Sequence, residues 1–213
     1  MSATRIALID YGMGNRRSVF KALEHVGADV VMSEDAAALD AADGFVLPGV
    51  GAFPRAMVNL RERGLVDPIL GWVRDGRPLL GVCLGMQLLF EASTELGGAD
   101  GLGILGGDVR ELSGAPKLPH IGWNLVEWAT SSPLIDGLGT GGAFYHVHSL
   151  AAHPSDEAIV LGRGSYGGPF VTAVAAGNVF GAQFHPEKSS SAGLRLLENF
   201  TRICTRVPVS SAQ

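Results

Sequence analysis

Pro78-Leu79-Leu80-Gly81-Val82-Cys83-Leu84-Gly85-Met86-Gln87 joins an apolar run to a tight glycine-flanked turn around a cysteine. Pro78 to Val82 reads as a buried strand, short and bounded by turn residues. Leu84 to Ala92 reads as a helix, with Leu84, Leu88 and Leu89 suited to burial. Glycine two residues before and two after Cys83 gives the form G-x-C-x-G, a nucleophile elbow with Cys in place of Ser. The glycines remove side chains that would meet neighbouring backbone. A sulfur held at a helix N-terminus meets partial positive charge, which favours thiolate over thiol. Taken alone, the same spacing also fits a structural cysteine at a glycine-rich strand end, since cysteine is often buried.

Outward from this turn, strands and helices alternate. Arg5 to Asp10 is an apolar, β-branched strand that ends in Tyr11-Gly12-Met13-Gly14-Asn15. Val19, Ala22, Leu23 and Val26 then share a helical face, and Gly27 stops it. Ala28 to Met32 and Gly44 to Leu47 read as strands, followed by helices over Phe53 to Arg63 and Leu65 to Arg74. Alternation of this kind predicts an α/β fold, an open and mostly parallel sheet flanked by helices. The second half has little helix. Apolar runs at Gly107–Leu112, Gly122–Trp128, Ala143–Val147, Ala158–Leu161, Phe170–Ala175 and Val179–Phe184 predict added antiparallel strands. A last helix is expected from about Ser191 to Arg202. Residues 1–206 are read as one domain and 207–213 as a disordered tail.

Composition narrows the function. The chain has 213 residues, 46% hydrophobic and 17% charged, with a net charge of −5. No basic stripe suits a nucleic-acid backbone. The longest uncharged stretch, Pro78 to Phe90, is shorter than the roughly 20 apolar residues that span a bilayer. The N-terminal run closes at Asp10, too early for a signal peptide. A cytoplasmic protein is expected, with no membrane or nucleic-acid partner. The two cysteines, Cys83 and Cys204, form no zinc-like cluster, and Cys204 reads as packing in the last helix. The Gly12-Met13-Gly14 loop has Arg17 where a dinucleotide fingerprint needs glycine, which excludes NAD. No metal or cofactor is expected.

Gln183-Phe184-His185-Pro186-Glu187-Lys188 follows the Val179–Phe184 strand. In extended chain, residues two apart point the same way, so His185 and Glu187 can face one site. A carboxylate beside an imidazole fixes its tautomer and stabilises the imidazolium form. The pairing works only if this late strand lies beside the Cys83 strand; a surface His-Pro-Glu turn is the alternative. Pro48-Gly49-Val50-Gly51-Ala52-Phe53 is a glycine-rich loop whose N–H groups, with that of Leu84, can serve a developing oxyanion. An ordinary turn between strand and helix has the same composition.

Together these segments resemble the class I, triad-type glutamine amidotransferases. Within them the chain is similar to the glutaminase subunits of imidazole glycerol phosphate synthase, over about residues 5 to 203. Asp10–Asn15, Pro48–Phe53, Gly81–Phe90, Lys117-Leu118-Pro119-His120-Ile121-Gly122-Trp123-Asn124 and Gln183–Ser189 carry the match. The resemblance implies a flavodoxin-like sheet, Cys83 as nucleophile on glutamine, His185 as proton carrier and Glu187 as its orienter. It implies Val50 and Leu84 as oxyanion donors, within the Gly49–Gly51 loop. It places Gln87 and the backbone of His148, Ser149 and Leu150 at the glutamine. It also implies a (β/α)₈-barrel cyclase partner in a heterodimer, contacted through the loops near Gly12–Asn15, Pro48–Phe53 and Pro119–Trp123. Ammonia released into neutral water becomes ammonium, which is no nucleophile, so a sealed path to a second site is needed. Where the family usually has Tyr-Phe-Val-His-Ser-Tyr, this chain reads Tyr145-His146-Val147-His148-Ser149-Leu150. A contact that used the last tyrosine ring has no counterpart here. The rival expectations are a glutaminase serving anthranilate or pyridoxal phosphate synthase, a different cysteine hydrolase, and a non-enzymatic binding subunit.

Overall fold

The computed structural model describes residues 3–206, so the expected tail lies outside the described residues. In β1 (Arg5–Ile9), Ile6 and Leu8 join one apolar cluster while Ala7 and Ile9 join another on the opposite face. All four are fully buried. A strand buried on both sides needs helices on both sides. β2 (Asp29–Ser33), β3 (Gly44–Leu47), β4 (Leu79–Val82) and β13 (Val179–Ala182) complete a parallel core in the order β2-β1-β3-β4-β13. On one face, α1 (Arg16–His25) and α6 (Ser190–Arg206) bring Val19, Leu23, Leu197 and Phe200 onto Leu8, Val46 and Leu80. On the other, α3 (Phe53–Glu62) and α4 (Val66–Arg74) bring Met57, Leu60, Ile69 and Trp72 onto Ile9, Phe45 and Leu47. Each such side chain contributes about 1.5–3 kcal/mol on burial. The Phe45 and Trp72 rings stack at 4.0 Å, and the Trp72 indole N–H donates to Asp40 at 2.9 Å, just past α2 (Ala36–Leu39).

The register decides where the site can form. Gly181 lies opposite Gly81 and Ala182 opposite Val82, and the Cys83 N–H donates to the Ala182 carbonyl at 2.7 Å. The chain leaving β13 therefore emerges beside Cys83. The adjacency that His185 required is present. The loops after β3, β4 and β13 all open at the carboxyl end of the parallel strands, where ligands of such sheets bind.

The second half adds antiparallel strands, as expected. β12 (Pro169–Ala176) pairs antiparallel with β13 and the sheet forks there. One arm runs through β10 (Leu150–Pro154), β7 (Leu105–Glu111), β5 (Phe90–Ser93) and the two-residue β6 (Ala99–Asp100). The other runs through β11 (Val160–Ser165), β8 (His120–Trp128) and β9 (Gly141–His148). The helix expected over Leu84 to Ala92 is one turn only, α5 (Leu84–Gln87), and the chain then enters β5. Leu88, Leu89 and Phe90 are all fully buried. A run buried all round has no period that separates helix from strand. Among the described residues, no helix is long and apolar enough to cross a membrane.

Candidate active site

Cys83 sits at φ 55°, ψ −113°, backbone territory that an L-residue rarely occupies. The turn closes because its glycines carry no Cβ. One added to Gly85 would lie 1.8 Å from the Leu47 carbonyl oxygen, and one on Gly81 would lie 2.6 Å from that of Gly85. Gly85→Ala therefore forces β3 and the elbow apart, at a cost of about 3 kcal/mol or more, and lowers the melting midpoint by roughly 6–12 °C. Gly103→Ala is the comparison. Its added Cβ meets nothing within 4 Å, though φ is +62°, so the substitution adds only about 1–2 kcal/mol of backbone strain. Equal melting shifts for the two would contradict the close-approach account.

His185 and Glu187 do meet, by a route other than the extended one expected. Pro186 to Lys188 is a turn of 3-10 helix, which folds Glu187 back on His185. The His185 Nδ1–H donates to Glu187 Oε1 at 2.9 Å, with side chains 4% and 1% exposed. The His185 N–H donates to the Tyr145 carbonyl at 2.8 Å, and the Ser189 hydroxyl donates to the His185 carbonyl at 2.6 Å. Burial pushes the His185 imidazole down, but hydrogen bonds and charge from Cys83 and Glu187 outweigh it, and the pKa rises to about 10. At neutral pH this ring is an imidazolium between a sulfur and a carboxylate. The one-turn helix after Cys83 offers little dipole, so the positive charge beside the sulfur comes chiefly from His185.

Cys83 and His185 line one cavity of about 270 Å³, with Val50, Gly51, Leu84, Gln87, Val147, His148, Ser149 and Leu150 among its walls. Neither the Val50 nor the Leu84 N–H is engaged in a turn or cap bond among the described residues. Gly51 has φ +112°, a value that glycine adopts without a Cβ penalty. Gly49 has a packing role as well. It is buried beneath the loop, and its bare Cα lets Tyr11 and Leu84 approach, where a Cβ would lie 2.5 Å from the Tyr11 hydroxyl oxygen. Tyr11 donates to the Pro48 carbonyl at 2.7 Å and so anchors the loop from below.

The profile described as "Glutamine amidotransferase class-I" matches residues 7–204. The "Imidazole glycerol phosphate synthase subunit HisH" of Bacillus cereus (strain G9842) is 52% identical over 92% of this chain and 93% of its own. The protein of the same name from Aquifex aeolicus (strain VF5) is 52% identical over 93% of this chain and 96% of its own. The chain belongs to the class I glutamine amidotransferases, and among them to the HisH subunits. A solved structure described as "Structure of PurLQS from Thermotoga maritima" has a TM-score of 0.76 at 21% identity, covering 95% of this chain and 99% of that one. At that identity the likeness is one of fold.

In this HisH chain the expected glutamine-site residues all line the cavity, but two of them face inward. The Gln87 amide donates to the Leu150 carbonyl at 3.1 Å and to Gln183 Oε1 at 3.0 Å, and the His148 imidazole is held by Leu150 and His120. Glu95, Pro119, Val147 and Lys188 also line the cavity, a place the sequence reading gave to none of them. Glu95 accepts the Phe53 N–H at 2.6 Å and ties the start of α3 to the cavity rim. Its only sequence signal is a charged residue ahead of the Gly97-Gly98 turn. Cys83 and Cys204 are both free, and Cys204 is buried against α6 neighbours as expected.

Proposed function

We propose that Cys83 attacks the side-chain amide carbon of glutamine, releasing ammonia and leaving a glutamyl thioester that water then opens to glutamate. The observation that carries this is a backbone-strained cysteine sharing one cavity with a buried imidazolium–carboxylate pair. Attack by sulfur pushes the amide π electrons onto oxygen. The Val50 and Leu84 N–H groups stabilise that oxyanion. On collapse, His185 Nε2 gives its proton to the departing nitrogen. It next takes a proton from water, whose oxygen attacks the thioester carbon, and the sulfur leaves as thiolate. Glu187 keeps Nδ1 protonated throughout. Glu95 and Lys188 offer opposite charges at the rim for the α-ammonium and α-carboxylate of the substrate.

The ammonia passes to a cyclase subunit of the (β/α)₈-barrel class within imidazole glycerol phosphate synthase, in histidine biosynthesis in the cytoplasm. It is used there to form imidazole glycerol phosphate and an aminoimidazole-carboxamide ribotide. A partner surface is supported by β8, whose Ile121, Trp123 and Leu125 are 59%, 55% and 71% exposed in a row. Labelling the complex with a glutamine-analogue electrophile and mapping the adduct tests the reading. The expected result is a single modified residue, Cys83, reacting slowly in the free chain and faster with the cyclase and its ligand. Modification elsewhere with Cys83 intact would refute the nucleophile. Equal rates with and without the cyclase would refute the gating. Hydrolysis of peptides or esters in preference to glutamine would favour another cysteine hydrolase.

A further inference from the structure

Three buried histidines, His120, His146 and His148, pack beside the cavity with ring centroids 5.1–5.5 Å apart. The proposed chemistry uses none of these rings. Two of them belong to a directed run of hydrogen bonds. We infer that His120 and His148 are positioning residues of the glutamine cavity, holding the Leu150 carbonyl against Gln87 through a one-way relay that begins at Asn124. The inference rests on the glutaminase reading proposed above and deepens it.

The direction follows from the two ends of the run. The Asn124 amide nitrogen donates to the Ser165 carbonyl at 2.9 Å, which fixes its orientation, and lies 3.3 Å from His120 Nε2. An amide nitrogen can only donate, so His120 Nε2 accepts and Nδ1 carries the proton. His120 Nδ1 lies 3.1 Å from His148 Nε2, which therefore accepts in turn. The His148 proton is then on Nδ1, 2.8 Å from the Leu150 carbonyl, a group that can only accept. Both ends demand the same pair of tautomers.

The Leu150 carbonyl is a junction. It also receives Gln87 Nε2, which in turn donates to Gln183 Oε1, and Gln183 Nε2 lies 3.8 Å from the Cys83 sulfur. On the same stretch of chain, the Val147 carbonyl oxygen lies 3.7 Å from that sulfur. The relay thus reaches the wall that faces both substrate and nucleophile. Neutral rings are required, because a second proton on either imidazole would have no acceptor. Burial pushes both downward, His148 to about 4 despite its bond to Leu150. Neutrality also spares the nearby His185 imidazolium a repulsive neighbour. His146 stands outside the run. Its nitrogens meet the Phe144 carbonyl at 3.0 Å and the Thr172 hydroxyl at 2.7 Å.

The test uses the full chain in complex with the cyclase. His120→Leu removes the donor to His148 Nε2. The expected result is a glutamine KM raised about tenfold, a kcat within about threefold, and unchanged synthesis from ammonium salts. His120→Asn places an amide nitrogen near the former Nδ1 and restores KM to within about threefold of wild type. His146→Phe, outside the relay, leaves KM within about twofold. Nitrogen-15 NMR is expected to show His148 as the Nδ1–H tautomer in the wild-type chain and a mixture in His120→Leu. An Nε2–H tautomer of His148 in the wild-type chain overturns the inference without any variant. So does an unchanged KM in folded His120→Leu, or an equal rise in His146→Phe. Failure of the glutaminase reading itself looks different: no glutamine turnover by the wild-type complex, whatever the tautomer.

Discussion

Cys83→Ala removes glutamine-dependent synthesis by about ten-thousand-fold or more, while ammonium salts still support the cyclase reaction. The substitution keeps the Cβ that already occupies the strained position at φ 55°. It adds no new backbone conflict and leaves the elbow formed. In the proposed mechanism the lost atom is the one that forms the thioester, and the second thiol cannot replace it, because Cys204 is buried in α6 against Gly44, at the amino end of β3. The ammonium arm separates lost chemistry from lost folding or lost association, since free ammonia bypasses the cavity. Retained glutamine activity in the variant would end the mechanism. Loss of both activities would point to a damaged complex.

Glu187→Gln lowers glutamine turnover by roughly a thousand- to ten-thousand-fold. The carboxylate is 1% exposed and 2.9 Å from His185 Nδ1, so its charge acts on the imidazolium with little water between. An amide nitrogen turned toward the ring can only donate, so Nδ1 would have to give up its proton and the imidazolium would be lost. An amide oxygen turned toward it would keep the tautomer and lose the charge. The pH dependence follows from the same pair. The His185 pKa is raised to about 10 in the fold, against about 6.5 in the unfolded chain. Its contribution to stability is therefore complete below about pH 6.5 and is lost as pH rises through about 10. Without the carboxylate the folded value drops. The alkaline limb of kcat/KM should move to lower pH, and the difference in melting midpoint between wild type and variant should be larger at pH 6 than at pH 10. A difference that grew toward pH 10 would contradict the imidazolium assignment.

Much of the site was legible because its parts are local. Cys83 between Gly81 and Gly85 announces a tight turn, and the structure supplies the reason in the 1.8 Å that a Cβ on Gly85 would leave to Leu47. The His185–Glu187 pair was also legible, although extended alternation was the wrong route to it. Proline at 186 starts a helical turn, and the turn brings the carboxylate back. Gly49, expected in the oxyanion loop, also packs closely over Tyr11. Nothing at Pro48–Phe53 distinguishes a glycine needed for φ from one needed for close approach. The strand at Phe90–Ser93 was hidden in a predicted helix, because Leu88 to Phe90 is buried on every side.

By itself the chain of residues determined the parallel core and the elbow and offered His185 and Glu187 as a candidate pair, since apolar runs, glycine spacing and a His-x-Glu pattern are each written within a few positions. Only the tertiary structure decided that His185, out of six histidines, stands at the sulfur, and that His120 and His148 brace the wall beside it. Those choices depend on the pairing of β13 with β4 and of β8 with β9. Pairing between distant strands is set by which faces the whole fold must bury, not by any short stretch of sequence.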